Sequence, residues 1–141
     1  MNKLIFTIFA LFLFCKIELA YTQISLPPGF SYSYAVTGVS QPTGSAFNSD
    51  GTKLFVWEKG GKVFLFNWNS STQEYDKQTT PVLDISPEVG NWRDHGLIGF
   101  ALDPNFNVNG LIYLSYVVDR HHLMNFGTGS YNANTNNYNS A

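Results

Sequence analysis

The sequence predicts an all-β fold of antiparallel sheets. Apolar residues come in short runs of strand length, and Gly, Asn, Asp, Ser and Pro separate these runs. Aromatic residues make up 16% of the chain and occur in nearly every run, as expected for strands that are buried on at least one face. After residue 22 no stretch shows the apolar spacing of a convincing helix.

Residues 1–22 are predicted to be a secretory signal peptide. Lys3 supplies a positive start, and the apolar run that ends before Lys16 is shorter than the ~20 residues a membrane helix needs. An uncleaved N-terminal anchor is the alternative. Cys15, the only cysteine, lies inside the run, so residues 23–141 would hold no disulfide or thiolate site. A periplasmic or secreted protein with no membrane anchor after cleavage is therefore expected.

Seven strands are predicted after the signal, and turn residues separate them. Residues 49–52 and Gly60-Gly61 predict tight reversals, and residues 69–73 form a longer polar loop. The predicted strands are residues 31–36, 44–47, 53–58, 62–68, 81–85, 97–102 and 111–118.

The last two strands are predicted to form a hairpin. Asp103-Pro104 opens the segment between them and Asn109-Gly110 closes it, and both pairs favour chain reversal. A hairpin places the residues before its first strand beside those after its second. All three histidines and both arginines of the chain, which is only 13% charged, would then meet at one end of this hairpin.

The polar residues at this end are the candidate site. Asp94, His95, Arg120 and His121 are the candidate substrate-binding residues. The alternative is a surface loop held by a pair between Asp94 and an arginine. Trp92 is most simply a packing residue, and stacking on a sugar is the other option. A zinc site would need a ligand spacing that is not seen here, so no metal ligand is assigned. No residue of the chain is assigned a catalytic role.

Composition excludes some classes of partner. The net charge is −2 and no run of Lys or Arg occurs, so neither nucleic-acid binding nor a basic amphipathic helix on a membrane is predicted. Ala46-Phe47 and Ala101-Leu102, 55 residues apart, each precede a turn and an apolar strand. Such an internal repeat is typical of β-propeller blades, which repeat about every 40–50 residues. A β-sandwich is the alternative. Residues 125–141 contain no closing strand, so part of a longer protein is expected.

Several short motifs follow one another in order between residues 41 and 116. They are Pro42-Thr43-Gly44, Asp50-Gly51, Leu54-Phe55-Val56, Glu58-Lys59-Gly60-Gly61-Lys62-Val63, Pro81-Val82-Leu83-Asp84-Ile85, Gly96-Leu97-Ile98-Gly99-Phe100-Ala101-Leu102-Asp103-Pro104-Asn105-Phe106 and Asn109-Gly110. In this order and spacing the stretch resembles the N-terminal part of the soluble pyrroloquinoline quinone-dependent glucose/sorbosone dehydrogenases.

The resemblance implies the opening blades of a six-bladed β-propeller, incomplete in this chain. It implies oxidation of a sugar hydroxyl, with a histidine as base, hydride transfer to pyrroloquinoline quinone, calcium at the cofactor and an external electron acceptor. The family's base, calcium ligands and most cofactor contacts would lie beyond Ala141, so residues 23–141 are expected to be inactive. A non-catalytic secreted propeller that binds carbohydrate or protein is the alternative.

One family contact falls on this chain. Some members have a substrate-facing glutamine two residues before the first glycine of Gly-Leu-Leu-Gly-Phe, and Asp94 stands at that position here. A carboxylate only accepts hydrogen bonds, so it favours sugar hydroxyl donors or an arginine over the mixed pattern of an amide.

Overall fold

The computed structural model describes residues 25–135 and divides the chain into two units, Met1–Ser33 and Tyr34–Ala141. In the first unit, the described residues 25–33 form a turn in which the Phe30 N–H donates to the Pro27 carbonyl at 3.2 Å. The predicted signal peptide lies outside the described residues and stays a prediction.

In its described residues, the second unit is all-β apart from two short helices. Its first sheet is an antiparallel meander in the order β1-β2-β3-β4, and the short strand β5 pairs with the start of β3. The strands are β1 Pro42–Phe47, β2 Lys53–Glu58, β3 Lys62–Asn69, β4 Glu74–Lys77 and β5 Leu83–Asp84.

The second sheet is the predicted hairpin. Strands β6 Leu97–Leu102 and β7 Ile112–Tyr116 pair antiparallel, from Leu102 opposite Ile112 to Leu97 opposite Tyr116. The connection contains helix α1, Phe106–Asn109, which ends at Gly110 in the left-handed conformation with φ of 66°. Helix α2, Arg120–Asn125, follows β7.

The first sheet is buried on both faces, because β2 and β3 each carry four consecutive buried apolar residues whose side chains alternate between the faces. The core between this sheet and the hairpin contains Phe55, Trp57, Val63, Leu65, Val89 and Leu97. The Phe100 ring from the hairpin stacks on Trp57, with ring centroids 4.9 Å apart. On the other face, Val36 and Val39 pack against Leu54, Val56, Phe64 and Phe66.

Some predicted elements are wrong. Residues 31–36 form no strand, and only Leu83–Asp84 of residues 81–85 is strand. Strand β4 was not predicted, since three of its four residues are charged and its single apolar side chain gives no strand pattern. The expectation of no helix is also wrong, because α1 and α2 are too short to repeat an apolar spacing.

The turn end of the hairpin is held by one carboxylate. Asp103 accepts hydrogen bonds from the Asn105 N–H at 2.8 Å, the Asn109 side chain at 2.9 Å and the Tyr113 hydroxyl at 2.7 Å. The hydrogen bond from Tyr113, with those from Asn105 and Asn109, lowers the pKa of Asp103 below its ordinary value. Pro104 and Asn109-Gly110 thus reverse the chain as predicted, with one helical turn inserted between them.

Candidate functional site

The open end of the hairpin brings the two predicted groups of residues to one side of the fold. The Val117 N–H donates to the Gly96 carbonyl at 3.2 Å, and the Gly90 N–H donates to the Val117 carbonyl at 2.8 Å. An isolated bridge joins Val89 and Val118. The segment before β6 and the segment after β7 therefore lie at the same end of the hairpin. We use the name rim for residues 92–95, residues 119–121, Lys59 and Gly60.

Asp94 and His95 lie on an exposed turn before β6. The His95 N–H donates to the Trp92 carbonyl at 2.9 Å and closes this turn. Arg93 has a φ of 49°, in the left-handed region that non-glycine residues rarely adopt. Its guanidinium lies over the Trp92 indole, 4.2 Å from the ring centroid. The turn presents Asp94 and His95 to solvent.

The turn between β2 and β3 also belongs to the rim, which the sequence did not predict. The Lys59 carbonyl accepts the Leu97 N–H at 2.9 Å, and the Lys59 N–H donates to the Gln41 carbonyl at 3.0 Å. A Cβ built on Gly96 would lie only 2.7 Å from the Lys59 carbonyl oxygen. The sequence predicts only a reversal at Gly60-Gly61, because the contact of this turn with the start of β6 joins two separate sheets.

Arg120 and His121 belong to α2 and not to an extended segment. Asp119 is 2% exposed and caps the helix, accepting the His121 N–H at 2.8 Å and the His122 N–H at 3.2 Å. The Asp119 N–H in turn donates to the Glu88 carbonyl at 2.7 Å. Arg120 is exposed and His121 is half-buried. Their substrate-binding role, like that of Asp94 and His95, stays a prediction.

A neighbouring pair supports the segment that carries Asp119. The Tyr116 hydroxyl donates to the Glu88 carboxylate at 2.9 Å. Burial, together with this hydrogen bond and the negative charge of Glu88, raises the pKa of the Tyr116 phenol. Glu88 therefore holds β7 through its side chain and Asp119 through its carbonyl.

Replacing Asp119 with alanine should loosen α2. Two helix N–H groups would lose their acceptor, and the loss of such a cap costs about 1–2 kcal/mol of unfolding free energy. Urea denaturation of the Asp119→Ala protein measures this cost. Asp119→Asn is the matched control, because asparagine caps helices about as well as aspartate. Equal stability of the alanine and asparagine variants would contradict the capping role.

Concave surface also occurs away from the rim. A cavity of about 310 Å³ lies at the turn end of the hairpin, where the Asn107 side chain donates to the Ser49 hydroxyl at 3.0 Å. A wider groove of about 560 Å³ runs along β1 and β2 and is lined mainly by apolar residues such as Val36, Val39 and Val56. Neither contains a residue of the predicted site.

The part of the chain that the structure describes shows neither a cluster of metal-ligating side chains nor a membrane-spanning helix. Within residues 25–135, no group of three or more His, Cys, Asp or Glu side chains is placed to hold a metal ion. In the same residues, no helix has the length and apolar character required to cross a membrane.

Comparison with known proteins identifies the family. The family model described as glucose/sorbosone dehydrogenase matches residues 39–138, which is most of the chain. The chain belongs to this family. The match covers both sheets and the whole rim, and it confirms the resemblance carried by the motifs between residues 41 and 116.

Two curated proteins are similar in sequence to this member of the glucose/sorbosone dehydrogenase family over a limited region. Hedgehog-interacting protein of Homo sapiens is 32% identical over 96 residues, which cover 64% of the chain and 13% of that protein. Hedgehog-interacting protein of Mus musculus is 31% identical over 90 residues, which cover 60% of the chain and 12% of that protein. The chain thus matches only about an eighth of the length of these relatives. No solved structure matches it significantly.

Proposed function

We propose that this chain is the N-terminal part of an exported sugar dehydrogenase that uses pyrroloquinoline quinone and has a six-bladed β-propeller. The observation that carries the proposal is the family match over residues 39–138. The antiparallel four-strand meander, followed by a hairpin packed on one of its faces, is what consecutive propeller blades would present. The protein would act in the periplasm or outside the cell and pass its electrons to an external acceptor.

The rim would contact the sugar. Asp94 is an exposed acceptor on a turn that is anchored by the start of β6, and sugar hydroxyls are donors that a carboxylate binds well. His95 stands next to it on the same exposed turn and offers an imidazole to a second hydroxyl. Arg120 would add a donor from α2. These residues would bind and orient the sugar, while proton removal would belong to a base beyond Ala141.

A dye-reduction assay tests this proposal. Pyrroloquinoline quinone, calcium and a panel of aldoses are added to residues 23–141 and to the full-length protein. We expect turnover by the full-length protein and none by residues 23–141, because the family resemblance implies that the base, the calcium ligands and most cofactor contacts lie beyond Ala141. Robust turnover by residues 23–141, or none by the full-length protein with any aldose, would refute the proposal.

The contact made by Asp94 can be tested in the full-length protein. Asp94→Ala should lower kcat/KM by about 10- to 100-fold, which is the usual cost of a lost charged hydrogen bond. Glu74→Ala is the matched control, because Glu74 is an exposed carboxylate on β4, away from the rim. An Asp94→Ala enzyme as active as the Glu74→Ala enzyme would remove Asp94 from the sugar site.

A non-catalytic propeller that binds carbohydrate or protein is the second candidate. It is favoured by the names of the two mammalian relatives, which describe interaction with Hedgehog, and these relatives match 60–64% of the chain. Under this alternative the same rim would bind a partner without cofactor. Calorimetric titration with glycans and with Hedgehog-like proteins, in the absence of quinone, would then give saturable binding while dye reduction stays at background.

A further inference from the structure

Residues 126–135, which we call the strap, fold back on α2 through a cluster of rings. The Tyr131 ring stacks on His121 with centroids 5.8 Å apart and meets His122 edge-on at 5.4 Å. It also meets the Phe126 ring edge-on at 5.3 Å. The Tyr131 hydroxyl lies 3.1 Å from Nδ1 of His122. Two imidazoles of the helix therefore hold the strap at Tyr131, and the Asn125 carbonyl holds its start by accepting the Thr128 N–H at 2.9 Å and the Thr128 hydroxyl at 2.7 Å.

The backbone contact of His121 defines where its proton lies. The Asn132 N–H donates to Nε2 of His121 at 3.0 Å. A backbone amide can only donate, so Nε2 must be the unprotonated nitrogen and the neutral ring carries its proton on Nδ1. The Asn125 side-chain amide nitrogen lies 3.2 Å from Nδ1 and also donates to the His121 carbonyl at 3.0 Å.

Protonation affects the two histidines differently. An imidazolium carries N–H on both nitrogens, so Nε2 of His121 would oppose the Asn132 N–H and their hydrogen bond would be lost. The Tyr131 hydroxyl either donates or accepts, so its contact with Nδ1 of His122 survives protonation. A proton on His121 therefore weakens the attachment of the strap to α2, whereas a proton on His122 does not.

The surroundings of His121 contain few other charges. On the helix these are Arg120 and His122, with Asp119 at the N-cap, and on the strap the only titratable side chain is Tyr131. The Asp119 carboxylate is occupied by the N–H groups of His121 and His122, and it favours a positive ring. Arg120 opposes one.

We propose that His121 is a pH-sensitive latch for the strap. The neutral ring accepts the Asn132 N–H and so holds Tyr131 and Asn132 against α2, whereas protonation of the ring removes this acceptor. Because Tyr131 and Asn132 lie against His121 of the rim, their release would expose this ring. The latch does not depend on the proposed dehydrogenase function.

NMR of the ¹⁵N-labelled protein tests the latch. At pH 8 the ring ¹⁵N shifts of His121 should report an unprotonated Nε2. The hydrogen-exchange protection of the Asn132 amide, corrected for intrinsic rates, should fall by about tenfold between pH 8 and pH 5. A protonated Nε2 at pH 8, or equal protection of Asn132 at both pH values, would overturn the proposal.

Two variants separate His121 from His122. His121→Phe keeps a flat ring under Tyr131 but removes the acceptor, so Asn132 should be unprotected at both pH values. Tyr131→Phe removes only the hydroxyl contact with His122 and should keep the pH response. A pH response that persists in His121→Phe, or that disappears in Tyr131→Phe, would contradict the role of His121.

Discussion

Gly96→Ala should lower the free energy of unfolding by about 3 kcal/mol, a cost at the upper end of that for overpacking one methyl group. The added Cβ would lie 2.7 Å from the Lys59 carbonyl oxygen and 2.5 Å from Lys59 Cγ. The side chain can move away, but the carbonyl cannot, because it accepts the Leu97 N–H at 2.9 Å. Denaturation in urea measures the loss, and the β6–β7 hairpin is the element that should shift.

Two further variants establish the cause of this effect. Gly129→Ala should change stability by less than about 0.5 kcal/mol, because a Cβ there meets no atom within 4 Å. Adding Lys59→Ala to Gly96→Ala should restore little stability, since the backbone oxygen of residue 59 remains in place. Full recovery in the double variant would show that the obstacle is the lysine side chain and not the carbonyl.

The strands that could be predicted are those whose own residues carry the signal. Strands β2 and β6 have the predicted bounds, because turn residues bracket four or more apolar residues in each. Strand β4 could not be found this way, since it is stabilised by pairing with β3 through residues such as Trp68 opposite Tyr75. The N-terminal residues 31–36 are rich in aromatics but have no strand partner among the described residues.

The hairpin that carries the candidate residues could be predicted, whereas their binding role stays a prediction. The hairpin interpretation correctly placed residues 92–95 and 119–121 at one end, because antiparallel pairing requires it. The helical start at Asp119 was missed, although aspartate is a frequent N-cap, because no apolar spacing follows it. The contact of Lys59 with Gly96 joins two sheets and has no signature in either local sequence.

The second large effect concerns the contact between the two sheets. Leu97→Ala should lower the free energy of unfolding by about 3 kcal/mol, as expected for a leucine truncated in a close-packed core. The Leu97 side chain is 0% exposed and packs with Phe55, Trp57, Val63 and Val89. Calorimetry or urea denaturation measures the loss.

The neighbouring residue supplies the matched control for Leu97. Ile98 lies on the same strand but is 56% exposed, and it stands at the register shift between Leu97 and Gly99, where it has no partner residue on β7. Ile98→Ala should therefore cost less than about 1 kcal/mol, because little apolar area returns to water. Similar losses for the two variants would mean that the hairpin does not pack on the first sheet through the Leu97 face. The rim would then lack the support that positions the turn of Asp94 and His95 beside Lys59.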